Sequence, residues 1–176
     1  MNKKILAFFV SFLILTGGAS YCFADAGHKP YSGSKAFERM KRLAGNWEGS
    51  ANFGQGIQTI KAHYKLTSSD SAVIETFHVG TPHEMVSVYH DNKSKKLMMT
   101  HYCAEHNQPK LVLKEWGNNK LSMDLSADNE IDVGKESHIH AAAIEFEGED
   151  RMTHKWTSFK DGKQDQVVKI VFKRVD

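Results

Sequence analysis

Ten residues, Thr100-His101-Tyr102-Cys103-Ala104-Glu105-His106-Asn107-Gln108-Pro109, hold two imidazoles, a thiol, a carboxylate and two amides. Such groups bind metal, carry protons or act as nucleophiles when partner side chains converge on them. A second pair, His138 and His140, follows in a strand-like run. One intervening residue puts both rings on the same face of a strand with Cα atoms about 7 Å apart, a spacing that can chelate one ion. The same alternation carries on through Ala142, Ile144 and Phe146, with Glu145 and Glu147 on the other side, so the pair is expected to face inward near one end of the sheet. The plainer alternative is two partly solvated histidines at a rim, bonded to loop carbonyls.

A zinc site needs a third ligand and an open position. His101, Cys103, His106 and Glu84 are available types, which leaves His138, His140 and His101 as the metal candidates. His154 fits less well. If Gly148 to Asp150 turns a hairpin so that Phe146 faces Met152, then Ile144 faces His154 and His140 faces Ser158. His140 and His154 are then about 13 Å apart along the strands, so His154 reads as a core or cavity-wall residue.

Cys103 shares a strand face with Leu97, Met99 and His101 and is expected to point inward. There a thiol is a small hydrophobe unless a nearby His lowers its pKa and makes it reactive. Glu75 sits in the apolar alternation Val73, Glu75, Phe77, and an inward carboxylate requires a partner: a ligand, or a buried Lys, Arg or Tyr. Gly80-Thr81-Pro82-His83 reads as a tight connection. Aromatic residues such as Trp47, Tyr64, Tyr102 and Trp156 are mostly core, with some facing any cavity that exists. The ligand-binding candidates are Glu75, His101, Cys103, His138, His140 and Trp156; no catalytic residue is assigned.

The elements that position these groups are strands. Ser34 can cap a short helix running to Leu43, with Phe37, Met40 and Leu43 on one face, and Gly45 ends it. From there the period is two. Strands are expected at 46–53, 58–67, 72–79, 84–90, 96–103, 110–116, 120–127, 138–147, 151–160 and 164–175, separated by Gly-, Asn-, Asp- and Ser-rich turns. Only 128–137 is a longer polar link, fit for a barrel mouth or lid. Ten hairpin-linked strands in an open sheet would leave long sticky edges, and closure into a barrel removes them. The expected fold is therefore all-β, a single antiparallel up-and-down barrel with a short N-terminal helix. Alternation points Trp47, Gly49, Ala51 and Phe53, and Ile60, Ala62, Tyr64 and Leu66, inward, and the small residues among them are expected to leave room.

Met1 to Ala26 reads as a secretory leader: Lys3 and Lys4, an apolar run from Ile5 to Leu15, and small residues before Ala24 and Ala26. The apolar run is shorter than the roughly 20 residues a bilayer span takes, so no stable membrane insertion is expected. The chain divides into a leader at 1–26 and a barrel domain at 27–176, exported to the periplasm or beyond. Cys22 leaves with the leader, so Cys103 is the remaining cysteine and the fold must stand without an internal disulfide. Cleavage after Ala24 takes Lys3 and Lys4 and no acid, which brings 23 basic residues level with the 21 acidic ones. A nucleic-acid or anionic-membrane binder concentrates basic charge on one face, and here lysines are scattered among acids, so both partners are set aside. Gly54-Gln55-Gly56 joins two strands and opens no helix, so it is no phosphate loop.

Leu43-Ala44-Gly45-Asn46-Trp47-Glu48-Gly49, following a short helix, resembles the Gly-x-Trp opening of calycin-type barrels: lipocalins, fatty-acid-binding proteins and nitrobindin-like domains. Gly80 to Met85, Thr100 to Cys103 with Asn107-Gln108-Pro109, and His138-Ile139-His140 are similar to a group of uncharacterised exported bacterial proteins with lipocalin-like barrels. The resemblance spans nearly all of the chain after the leader. It implies a ligand cavity with no agreed ligand. A haem-binding nitrobindin-like member would need one axial His, a position that no motif here assigns.

Closure plus inward polar groups favours a non-enzymatic module that holds a small, largely apolar molecule, with His101, His138, His140 and Glu75 as polar fixtures. The alternative is a zinc- or haem-dependent protein, with enzymatic activity as one form of it, in which His138 and His140 are ligands and Cys103 or His101 completes the shell.

Overall fold

The computed structural model describes residues 29–175 apart from Gln55; the expected leader, with Cys22, lies outside these residues. A helix, α1 (Lys35–Lys41), leads into ten strands: β1 (Gly45–Asn52), β2 (Ile57–Thr67), β3 (Ala72–Phe77), β4 (Met85–Asp91), β5 (Leu97–Tyr102), β6 (Lys110–Gly117), β7 (Lys120–Leu125), β8 (His138–Phe146), β9 (Arg151–Lys160) and β10 (Lys163–Val175). Every strand pairs antiparallel with its neighbours in sequence, and β10 closes on β1. This is the closed up-and-down barrel that the alternation predicts, and each strand end falls within two residues of its expected place.

Local chemistry explains the hairpins. Asn118 and Asn119 (φ 49° and 58°), like Asp161 and Gly162 (φ 49° and 72°), both take left-handed backbone, the pattern of a two-residue turn whose twist matches that of the strands. The helix starts where Ser34 Oγ accepts the Phe37 N–H at 3.1 Å, while the Ser34 N–H and hydroxyl both donate to the Asp91 carboxylate at the end of β4. Its buried face, Ala36, Phe37 and Met40, with Leu43 beyond it, joins the core and plugs one end of the barrel. Arg39 lies over the Phe146 ring at 4.2 Å, and the Trp47 indole N–H donates to the Leu43 carbonyl at 2.7 Å.

Inside the plug, Trp47, Tyr64, Tyr89, Ile60, Met99 and Phe172 are fully buried, each side chain contributing about 1.5–3 kcal/mol. Gly49 does not leave room as expected. A Cβ there would stand 2.8 Å from Phe172 Cδ1 and 2.9 Å from Ile170 Cγ2, so the larger side chains of β10 already fill the space that glycine gives up. Space remains at the opposite end, where β5 finishes and β8 begins.

A candidate ligand cavity at the open end

The sites of interest belong to two layers. The inner layer is a buried polar cluster. Tyr64 and Glu75 are direct cross-strand partners on β2 and β3, and Ser87 pairs with Glu75 from β4. The Tyr64 hydroxyl donates to Glu75 Oε1 at 2.6 Å and the Tyr89 hydroxyl to Oε2 at 2.8 Å. From β9, across the lumen, His154 brings Nδ1 to 3.5 Å from Oε1, close enough for charge interaction but long for a hydrogen bond. Glu75 and His154 are both 0% exposed. Burial by itself would push the Glu75 carboxyl upward; His154 and the two phenols outweigh it and hold it down at about 2. Burial first, then the Glu75 charge, raises both tyrosines well above their usual range, so they remain donors.

The outer layer is a cavity of about 350 Å³. Phe53, Phe77, Met85, Trp156, Val168 and Ile170 give it apolar walls, and His101, His138 and Cys103 also line it. His101 and Trp156 come from opposite sides of the barrel and meet at the floor with ring centroids 5.0 Å apart; on its other side Trp156 packs against His154 at 4.5 Å. His101 Nδ1 pairs with Ser87 Oγ at 3.0 Å. Burial pushes His101 down to about 4 against the partial opposition of Glu75, so the ring is neutral near neutral pH.

Of the candidate residues, Glu75 lies under the floor, His101 and Trp156 form the floor, and Cys103 and His138 line the wall toward the mouth. Cys103 follows the end of β5 and is half-buried, and burial raises its thiol, which disfavours the thiolate. His140 does not join them. The β8–β9 register runs Phe146↔Met152, Ile144↔His154 and Ala142↔Trp156, as strict alternation requires, then slips between Ala141 and Ile139 so that Ile139 faces Ser158. This bulge at His140 takes its side chain out of the cavity lining and onto Phe159, where the two rings stack at 3.8 Å.

The bulge also redefines the histidine pair. A carbonyl only accepts, so His138 Nδ1 donates to Glu136 O at 2.8 Å, and in the neutral pair Nε2 accepts from His140 Nδ1 at 3.2 Å. Both ring nitrogens of His138 are thereby engaged. His106 and Glu84 are exposed, and Glu84 accepts the Gly80 N–H. Among the described residues no three His, Cys, Asp or Glu side chains gather where one ion would meet them. The amide at Asn107 has a structural task, donating to Ser137 O at 2.8 Å and so tying the His-rich turn to the 128–137 link.

No family description and no curated protein matches this chain. One solved structure that does resemble it is a protein of unknown function from the DUF3598 family of Nostoc punctiforme, with a TM-score of 0.53 at 12% identity. The match covers 77% of this chain and 49% of that one, so the chain spans about half the length of its structural neighbour. At that identity the likeness concerns the fold alone, an antiparallel β-barrel. Among the described residues no helix is long and apolar enough to cross a membrane.

The sequence reading missed His154 as the facing partner of Glu75. It anticipated that Glu75 needs a partner and that His154 lies in the core, but β3 and β9 are not adjacent in the sheet, and cross-strand pairing says nothing of contacts across the lumen. It also missed His78, a cavity-lining residue with left-handed backbone (φ 55°) just past β3. Its place beside the Gly80 turn was the available signal.

Proposed function

We propose that this chain is an exported carrier or sensor barrel that holds a small, largely apolar molecule, a member of the lipocalin-like group its Gly-x-Trp opening resembles. One observation carries the reading: the open end keeps a cavity of about 350 Å³ with an apolar wall of Phe53, Phe77, Met85, Trp156, Val168 and Ile170, His101 at its floor and further polar side chains toward its mouth, while the other end is plugged. That volume lies at the small end of the roughly 300–1,000 Å³ typical of ligand sites. Export is assigned on the Met1 to Ala26 pattern alone.

The metal and haem alternatives fit the residues less well. Zinc would need donors that converge, and His138 spends both nitrogens on Glu136 and His140 while His140 stacks outside the cavity. Haem carries two carboxylates that ask for cations at the rim, whereas the described lining residues include Glu105 and Asp165 and no Lys or Arg. The reading is tested by titrating the protein, purified without added metal or chelator, with a fluorescent apolar probe, alongside native mass spectrometry. Saturable binding at a single stoichiometry is expected. Absence of saturation would overturn the carrier, and a stoichiometric metal or haem mass would put the alternative in its place.

A further inference from the structure

Three of the four buried side-chain polar atoms that lack a hydrogen-bond partner among the described residues belong to one stack: His154 Nδ1 and Nε2, and Trp156 Nε1. An indole nitrogen can only donate, and leaving a buried donor unmet costs about 1–3 kcal/mol. The barrel satisfies the same group elsewhere, since Trp47 gives its N–H to Leu43 O. Trp156 differs in position. It is 6% exposed, it forms part of the cavity floor, and its neighbours on either side are the imidazoles of His101 and His154. The N–H itself is covered, but Trp156 lines the cavity, so a molecule that settles against this floor is placed to bring the missing acceptor as the ring adjusts.

The charges around the floor decide what kind of acceptor can come. Glu75 lies directly beneath it in contact range of His154, and Glu105 and Asp165 line the cavity nearer the mouth. No Lys or Arg is among the described lining residues; the basic groups there are the imidazoles of His78, His83, His101 and His138. Burial keeps His78 and His101 below their usual range, so a carboxylate or phosphate would lose its water with no permanent cation to replace it. A neutral carbonyl oxygen faces no such penalty and accepts the indole N–H directly.

We propose that the cavity selects neutral apolar molecules carrying a carbonyl-type oxygen, such as ketones, quinones or esters, which seat that oxygen at the floor against the Trp156 indole N–H beside His101. The proposal rests on the carrier reading and narrows its ligand class. It sets this barrel apart from one that would grip the head group of a fatty acid.

Three β-substituted naphthalenes of matched shape test it by calorimetry at neutral pH: the acetyl ketone, the isopropenyl hydrocarbon and the carboxylate. The ketone is expected to bind about tenfold more tightly than the hydrocarbon, the equivalent of one hydrogen bond, with the carboxylate weakest. Trp156→Phe should bring the ketone down to the hydrocarbon. A second readout needs no variant: in heteronuclear NMR the ketone should move one indole N–H resonance downfield and leave that of Trp47, already bonded to Leu43 O, in place. Equal affinity for ketone and hydrocarbon with no indole shift would overturn the proposal while leaving the carrier standing. Tightest binding of the carboxylate would overturn it as well. If none of the three binds, the carrier reading itself falls.

Discussion

The two ends of this barrel treat the same residue type in opposite ways. At the plugged end Trp47 is 1% exposed and its N–H is satisfied by the chain that enters the barrel; at the open end Trp156 is nearly as buried and its N–H is left over. The pattern extends to the surroundings. Around the plug, Ser34 and Asp91 lock the helix to β4, and Arg174 donates to Ala44 O, Arg42 O and Glu149 O. Around the mouth sit the β8 bulge, the β9–β10 register shift between Gln164 and Val167, and the exposed apolar side chains Ile57, Tyr102, Val133 and Val167. A third register shift, between Leu113 and Glu115 of β6, lies away from the mouth. Unmet polar groups and irregular pairing cost stability, so the two shifts and the unmet indole that fall together at the open end mark where the fold serves something other than its own stability.

The strongest way to break the comparison is at the layer between the ends. Glu75→Gln keeps the shape but replaces the carboxylate that accepts from Tyr64 and Tyr89 and faces His154. Losing the charge of a buried, multiply bonded group should destabilise by about 3 kcal/mol, read as a lower denaturant midpoint at unchanged slope. Affinity for a neutral probe should change less than stability does, because Glu75 sits under the floor. Loss of affinity without loss of stability would mean that Glu75 reads the ligand itself.

Acid acts on this layer and on the cavity floor above it. Unfolded His101 gains a proton near 6.5, whereas in the fold burial delays that to about 4. Stability present above pH 6.5 should therefore be lost as pH falls toward 4, by about 3 kcal/mol. Glu75, held down from 4.5 to about 2, extends the loss in the same direction below pH 4.5. Denaturant midpoints measured across this range check the slope, and His101→Gln should flatten its upper part. A wild-type profile flat from neutral pH to pH 4 would show that His101 takes up its proton in the fold as readily as in the unfolded chain.

The two tryptophans provide the sharpest contrast at smaller scale. Trp47→Phe removes ring area and also leaves Leu43 O without its donor, and should lose about 2 kcal/mol. Trp156→Phe removes similar area but also an unmet donor, so its loss should stay below about 1 kcal/mol. Equal losses in the two variants would erase the distinction between the ends.

How much of this was legible in the sequence follows from what alternation can and cannot encode. Period-two patterning with Asn-Asn and Asp-Gly turns specifies strands, hairpins and closure, and it carried the β8–β9 register correctly as far as Ile144↔His154. It failed at His140, because a bulge inserts one residue without any mark that strict alternation is broken, while His138, beyond the bulge, lines the cavity as expected. That is why the His138–His140 pair looked like a chelate. Glu75 was visible as an inward carboxylate, yet its meeting with His154 depends on barrel diameter and stagger, which set contacts across the lumen. His101 and Trp156 were each plausible cavity residues, and only the closed barrel puts their rings side by side.

The smallest expected effect on binding comes from the helix cap, and it tests whether the two ends are independent. Ser34 Oγ accepts the Phe37 N–H and its hydroxyl donates to Asp91, so Ser34→Ala removes a cap and one tie to β4. About 1 kcal/mol should be lost, the usual cost of an N-cap deletion. Because the helix closes the end opposite the cavity, the variant should bind the acetyl naphthalene with wild-type affinity at temperatures where both are folded. A shift in affinity beyond about twofold would mean that the plug tunes the cavity through the packed layer of Tyr64, Tyr89 and Glu75. The barrel would then behave as one mechanical unit, its stable end setting the shape of its binding end.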